Sequence, residues 1–180
     1  MTDRISRKQL MTIIQEFEAV SAVGSSAVRG QPSRTADACR DFLKKVNLMK
    51  VPRRSAALFS RWLNHETQRL QRKLPNPNRP WGIARKALNL FLRSCFYNRF
   101  LCERYRLDRI ASWLEVPLDS VVAKKLKEHA GRGILPKWLG LGGLTPEDSE
   151  AFQRHSLEYA AEKGLPARVF LDNYLWLLGR

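Results

Sequence analysis

An amine and a carboxylate, each at the opening of a predicted helix, are the residues of this sequence best suited to chemistry. The amine is Lys86, in Pro80-Trp81-Gly82-Ile83-Ala84-Arg85-Lys86-Ala87-Leu88-Asn89. It falls in the first turns of a mostly apolar helix, where burial disfavours the ammonium and leaves a usable nucleophile. Gly82 at the start of that helix lets a phosphate approach the orphan backbone N–H groups, and Arg85 adds charge beside it. The carboxylate is Asp119, in Glu115-Val116-Pro117-Leu118-Asp119-Ser120-Val121-Val122-Ala123-Lys124. Pro117 fixes a turn, and Asp119 stands at the N-cap, where the helix dipole and N–H groups favour its ionised form. Such a carboxylate can stabilise an oxocarbenium-like sugar or orient an attacking water. Plainer roles stay open: Lys86 as a snorkelling lysine and Asp119 as a cap.

Other chemistries lack their residues. His65-Glu66 opens like a zinc-protease helix, but Arg69 stands where the second histidine belongs, and His129 and His155 are isolated in sequence. Three cysteines (Cys39, Cys95, Cys102) form no CxxC unit, which excludes a disulfide scaffold and a four-cysteine zinc or iron–sulfur site within the chain. Gly140, Gly142 and Gly143 are not followed by the Lys-Ser/Thr of a phosphate loop, and no GxSxG elbow occurs. No metal and no cofactor are expected.

The elements that must position Lys86 and Asp119 all read as helices. Apolar residues recur at helical spacing from Ile5 to Phe17, and a Gly/Ser/Ala-rich loop over 21–35 follows, carrying Arg29 and Arg34. Helices are predicted over 37–46 and 55–74. Three prolines within 74–80 forbid helix there. A long helix is predicted over 83–105, so apolar around its circumference that it belongs in the core. Further helices follow over 120–129, over 149–163 behind the capped start at Thr145-Pro146, and after Pro166, with a glycine-rich loop over 131–143. The expectation is an all-α chain, a single compact domain over 1–180 of eight to ten helices.

The 180 residues are 44% apolar, enough for one core, and 32 Lys and Arg against 17 acidic residues give a formal charge of +15. That excess points to a polyanion, most often nucleic acid. No apolar run reaches the roughly 18 residues of a membrane span, and the start at Met1-Thr2-Asp3-Arg4 has no apolar signal core. An intracellular protein without a membrane partner is expected.

Taken together, the two segments resemble the helix-hairpin-helix DNA glycosylase superfamily, the endonuclease III and 8-oxoguanine glycosylase clan. Val116-Pro117-Leu118-Asp119-Ser120-Val121-Val122 looks like its aspartate-bearing turn. Gly82-Ile83-Ala84-Arg85-Lys86 looks like a degenerate form of its hairpin, and the closing helix through Tyr174-Leu175-Trp176 to Gly179-Arg180 is similar to the family's last helix. The 33-residue interval between Lys86 and Asp119 is nearest the archaeal 8-oxoguanine branch. The resemblance covers roughly 55–180. It implies an enzyme that flips a base from double-stranded DNA and excises it, with Asp119 and Lys86 catalytic, no iron–sulfur cluster, and a cytoplasmic, prokaryotic-type monomer. DNA contacts are then expected from Trp81 (stacking), Gly82, Arg85, Asn89 (hydrogen-bonding a base), Arg29, Arg34, Lys124 and Lys125. The substrate would be oxidised guanine or a hypermodified pyrimidine of invading viral DNA. A non-catalytic helical DNA- or RNA-binding protein is the alternative, with Lys86 a surface lysine and Asp119 a cap.

Overall fold

Side-chain caps decide where most helices of this chain begin. The computed structural model describes residues 4–178. In α1 (Arg7–Ala22), Ser6 and Gln9 form a reciprocal capping box. A 3-10 turn (Ser25–Val28) leads to α2 (Thr35–Leu43). Ser55 caps α3 (Ala56–Gln71) by accepting from the Leu58 N–H. The proline-rich turn delivers the chain to α4 (Trp81–Tyr97), and Asn98 caps α5 (Arg99–Tyr105). After a 3-10 stretch (Leu107–Trp113), Asp119 caps α6 (Ser120–Ala130). One short turn, α7 (Gly140–Gly143), precedes α8 (Pro146–Glu162), which opens on a Thr145 cap with Glu147 and Asp148 at its positive dipole end. α9 (Leu171–Leu178) comes last. No strand occurs among the described residues, and the fold is all-α.

Among the boundaries that differ from the sequence expectation, two involve α1. The single helix predicted over 83–105 is two helices, broken at Asn98. That side chain accepts from the Leu101 N–H and donates to Glu18 Oε1 at 2.8 Å, which ties the break to α1. Apolar spacing continues through the break, so periodicity cannot register it. The segment 21–35, expected as one loop, contains the end of α1, the 3-10 turn and the start of α2.

α4 is the axle of the molecule, packed against α1, α2, α3, α5, α7 and α8. Its apolar sides join one large cluster with Leu43, Phe59, Leu63 and Leu101. A second cluster gathers Val122 and Leu126 of α6, Phe152 and Tyr159 of α8, and Leu171 and Leu175 of α9. Leu141 packs on both clusters. Each fully buried Leu or Phe contributes about 1.5–3 kcal/mol, so the two cores dominate the folding energetics. His129 and His155, isolated in sequence, meet at 3.0 Å between ring nitrogens, with Glu162 2.8 Å from His129, and they tie α6 to α8.

All three cysteines are free thiols, Cys39 and Cys95 buried and Cys102 half-buried. Burial pushes the Cys39 thiol up to about 12 and Cys95 well above the ordinary thiol value. Among the described residues no helix is long and apolar enough to cross a membrane.

Candidate functional site

The seam between the two cores holds the amine and the carboxylate together. Lys86 sits in the second turn of α4, and its Nζ lies 3.5 Å from Asp119 Oδ2. The two oxygens of Asp119 have separate duties. Oδ1 accepts from the Val121 and Val122 N–H groups, each at 3.0 Å, and fixes the start of α6, while Oδ2 faces the amine. Desolvation draws the Lys86 ammonium below its ordinary pKa, opposed by the charge and hydrogen bonding of Asp119 and assisted by Arg93. The result is an amine 9% exposed, held beside one carboxylate oxygen, with a depressed affinity for its proton.

A cleft of about 1040 Å³ opens over this pair. Lys86, Leu90 and Arg93, at i, i+4 and i+7, present one face of α4 to it. Asp172 and Trp176 of α9 line it too, and Arg29, Gly30 and Gln31 form part of its rim. Arg93 forms an ion pair with Asp172, and its Nε has no partner. Burial also lowers the pKa of Arg93, countered by Tyr97. The Arg93–Asp172 pair went unread in the sequence, although the i+7 spacing from Lys86 on a buried helix places Arg93 on the amine's own face.

No protein-family model, curated protein or solved structure matches the chain. The geometry of the cleft therefore carries the functional argument alone. Among the described residues no group of His, Cys, Asp and Glu is arranged to hold a metal ion.

Several residues assigned to DNA contact lie elsewhere. Arg85 is buried and grips Glu115 with two bonds, Nε to Oε2 at 2.8 Å and Nη2 to Oε1 at 2.7 Å. It also donates to Asn64 and Thr67. Asn89 is buried as well and donates to Glu115 Oε2 at 2.9 Å. Burial would raise the Glu115 carboxyl, but Arg85, Arg168 and Asn89 hold it below the usual carboxylate range. Both side chains thus point into an internal network, because the largely buried Glu115 carboxylate, carried on the segment before α6, demands those donors. Nothing in sequence spacing announces that Glu115 stands opposite.

Gly82 is no phosphate cradle. A Cβ there would come within 2.5 Å of the Leu141 carbonyl oxygen and 2.9 Å of Leu144 Cβ, so the glycine lets α7 cover the opening of α4. Residues 81–86 are all helical and open α4 directly behind the proline-rich turn. Trp81 is half-buried against the second core, with Arg85 5.3 Å over its ring, and is not free to stack on a base. Lys124 and Lys125 both pair with Glu128, at 3.8 and 3.1 Å, along α6. Arg29 borders the cleft, and exposed Arg34 stands at the start of α2 without lining it.

Proposed function

We propose that this protein is a DNA N-glycosylase that flips out and excises a damaged or chemically modified base, leaving an abasic site. The observation that carries this reading is the approach of Lys86 Nζ and Asp119 Oδ2 to 3.5 Å on the floor of a cleft large enough for a nucleotide. A base inside a duplex is out of reach of any side chain, so the nucleotide must leave the stack and enter such a pocket. There the deoxyribose lies over the pair. As the C1′–N bond lengthens, positive charge develops on the sugar and Asp119 stabilises it. If deprotonated Lys86 is the nucleophile, its Nζ bonds to C1′ while the base departs with the bonding electrons and takes the proton that Nζ gives up. The closed aminal then opens as its C1′–O4′ bond breaks and the Nζ proton passes to O4′, and the Schiff base so formed gives a route to strand cleavage. If water attacks instead, Asp119 orients it and an intact abasic site remains.

The cleft favours a generous substrate. Its volume lies at the top of the about 300–1,000 Å³ range of small-molecule pockets, so a pyrimidine with a bulky substituent fits as readily as an oxidised guanine. The +15 charge supports double-stranded DNA as the partner.

Incubation with duplexes carrying 8-oxoguanine or glucosylated hydroxymethylcytosine, followed by detection of abasic sites, tests the reading. Base release lost in Asp119→Asn supports it. Borohydride trapping reports whether Lys86 forms the covalent bond. A protein that binds duplex but releases no base from either substrate fits the rival reading, a helical nucleic-acid binder in which the pair only neutralises a buried lysine.

A further inference from the structure

A second groove, about 690 Å³, runs between α2 and α3, away from the catalytic pair. Phe42 and Val46 line its floor, and Lys45, Arg69, Arg72 and Lys73 line its sides. Its two acids are already committed. Glu66 holds Arg69 at 2.9 and 3.0 Å, and Asp41 pairs with Lys44 at 3.5 Å. Lys45, Arg72 and Lys73 are exposed and have no acidic partner among the described residues, leaving cations on opposite walls of the groove. Arg69 lies 5.5 Å over the Phe42 ring and covers the apolar floor with a guanidinium. The groove therefore presents charge, not a greasy slot for a peptide helix.

This groove is joined to the cleft by one short turn. Gln71, at the end of α3, donates to the Arg79 carbonyl at 2.8 Å. Asn76, inside the turn, donates to Gln31 Oε1 at 3.0 Å, and Gln31 borders the cleft beside Arg29. Arg79 holds a left-handed backbone (φ 39°), kept there by its N–H bond to the Asn76 carbonyl and by Gln71. A non-glycine residue held this way is a local strain of the kind kept at working surfaces. Arg29 borders the cleft, Lys45, Arg72 and Lys73 border the groove, Arg79 lies in the turn that joins them, and none has an acidic partner among the described residues.

We propose that the α2–α3 groove grips the phosphodiester backbone of the duplex flanking the base in the cleft. The proposal rests on the DNA reading above. A free phosphate ion would satisfy one or two of these cations. A backbone with a charge at every nucleotide satisfies cations spread along a connected path.

Binding of the full chain to an unmodified duplex several helical turns long, followed by fluorescence anisotropy across a salt series, tests the proposal. The groove variant is Arg72→Glu/Lys73→Glu. The control, Arg154→Glu/Lys163→Glu, makes the same charge change on α8 and at the residue that caps its end. The groove variant is expected to flatten the slope of log affinity against log salt by about two and to weaken binding about tenfold more than the control at low salt. Lys45→Glu, on the opposite wall, should move both readouts in the same direction without touching α3. Equal slopes and equal affinities for groove and control variants would overturn the proposal. A wild-type chain that binds no duplex at all defeats the glycosylase reading itself, a distinct result.

Discussion

At the scale of single residues, the division of labour within Asp119 makes its amide variant informative. The Val121 and Val122 N–H groups require an acceptor, so an asparagine at 119 must keep its oxygen on the cap and turn its NH₂ toward Lys86. Asp119→Asn should therefore keep the helix, with a stability change of about a few tenths of a kcal/mol, and lose base release. It also removes the carboxylate that holds the Lys86 proton, so the amine's pKa should fall further. Reductive methylation at neutral pH should then modify Lys86 faster in the variant than in the wild type. A variant with wild-type excision would reduce the residue to a cap. Lys86 carries a linked prediction. Its folded pKa is depressed, so the unfolded chain binds more protons between that lowered value and the ordinary lysine value, and stability rises with pH across that window. Below it the fold bears the full cost of burying an ammonium. Lys86→Met removes the cost of burying the ammonium, so its stability relative to the wild type should be greatest at neutral pH and should decline as pH climbs through the window. Thermal melts of both proteins over pH decide it, and a gain that grows with pH would contradict the assignment.

At the scale of elements, α7 over α4 shows what a missing side chain can do. Gly82→Ala places a methyl 2.5 Å from a backbone oxygen that cannot swing aside, as a flexible side-chain end would. The expected cost is about 1–3 kcal/mol, read as a lowered melting temperature. An unchanged melt would mean that α7 lifts freely from the helix beneath. The helices themselves were largely legible in the sequence, because caps are local: Asp119 and Thr145 declare α6 and α8 from residue type and position. Asn98 was hidden, since its cap competes with an unbroken apolar pattern. Lys86 and Asp119 were legible one at a time, each from its place at a helix opening, and only the family resemblance paired them before packing set the 3.5 Å approach. Arg85 and Asn89 were misread because their partner, Glu115, lies about thirty positions away along the chain, where only the packing of the segment before α6 on α4 determines the contact. Gly82 was misread for the same reason, with Leu141 far along the chain.

For the whole molecule, the uneven charge has two opposite consequences. A net +15 strains the compact state by self-repulsion, and salt screens it over a Debye length of about 10 Å at 0.1 M. Raising salt from low to moderate concentration should lift the melting temperature by about 2–4 °C, equivalent to about 1 kcal/mol. The same change should weaken any duplex complex, because each released counterion gains less entropy in a more concentrated solution. A melting temperature that stays level or falls would show that the cations are already compensated within the fold. The cleft lies where the two apolar clusters meet, so the seam that supplies the site is also where the molecule's parts are least continuous.

The buried thiols turn that architecture into a clock. Cys39 lies in α2 and Cys95 in α4, both shielded from solvent and both short of thiolate at neutral pH. A disulfide reagent meets them only when their helices part from the core, so their labelling rates count openings of α2 and α4 separately. Half-buried Cys102 in α5 should react first. A duplex seated over Lys86 and held in the α2–α3 groove bears on both helices and should slow Cys95 and Cys39 together. Mass-spectrometric labelling in the presence and absence of DNA decides it, and rates that DNA leaves unchanged would contradict that seating.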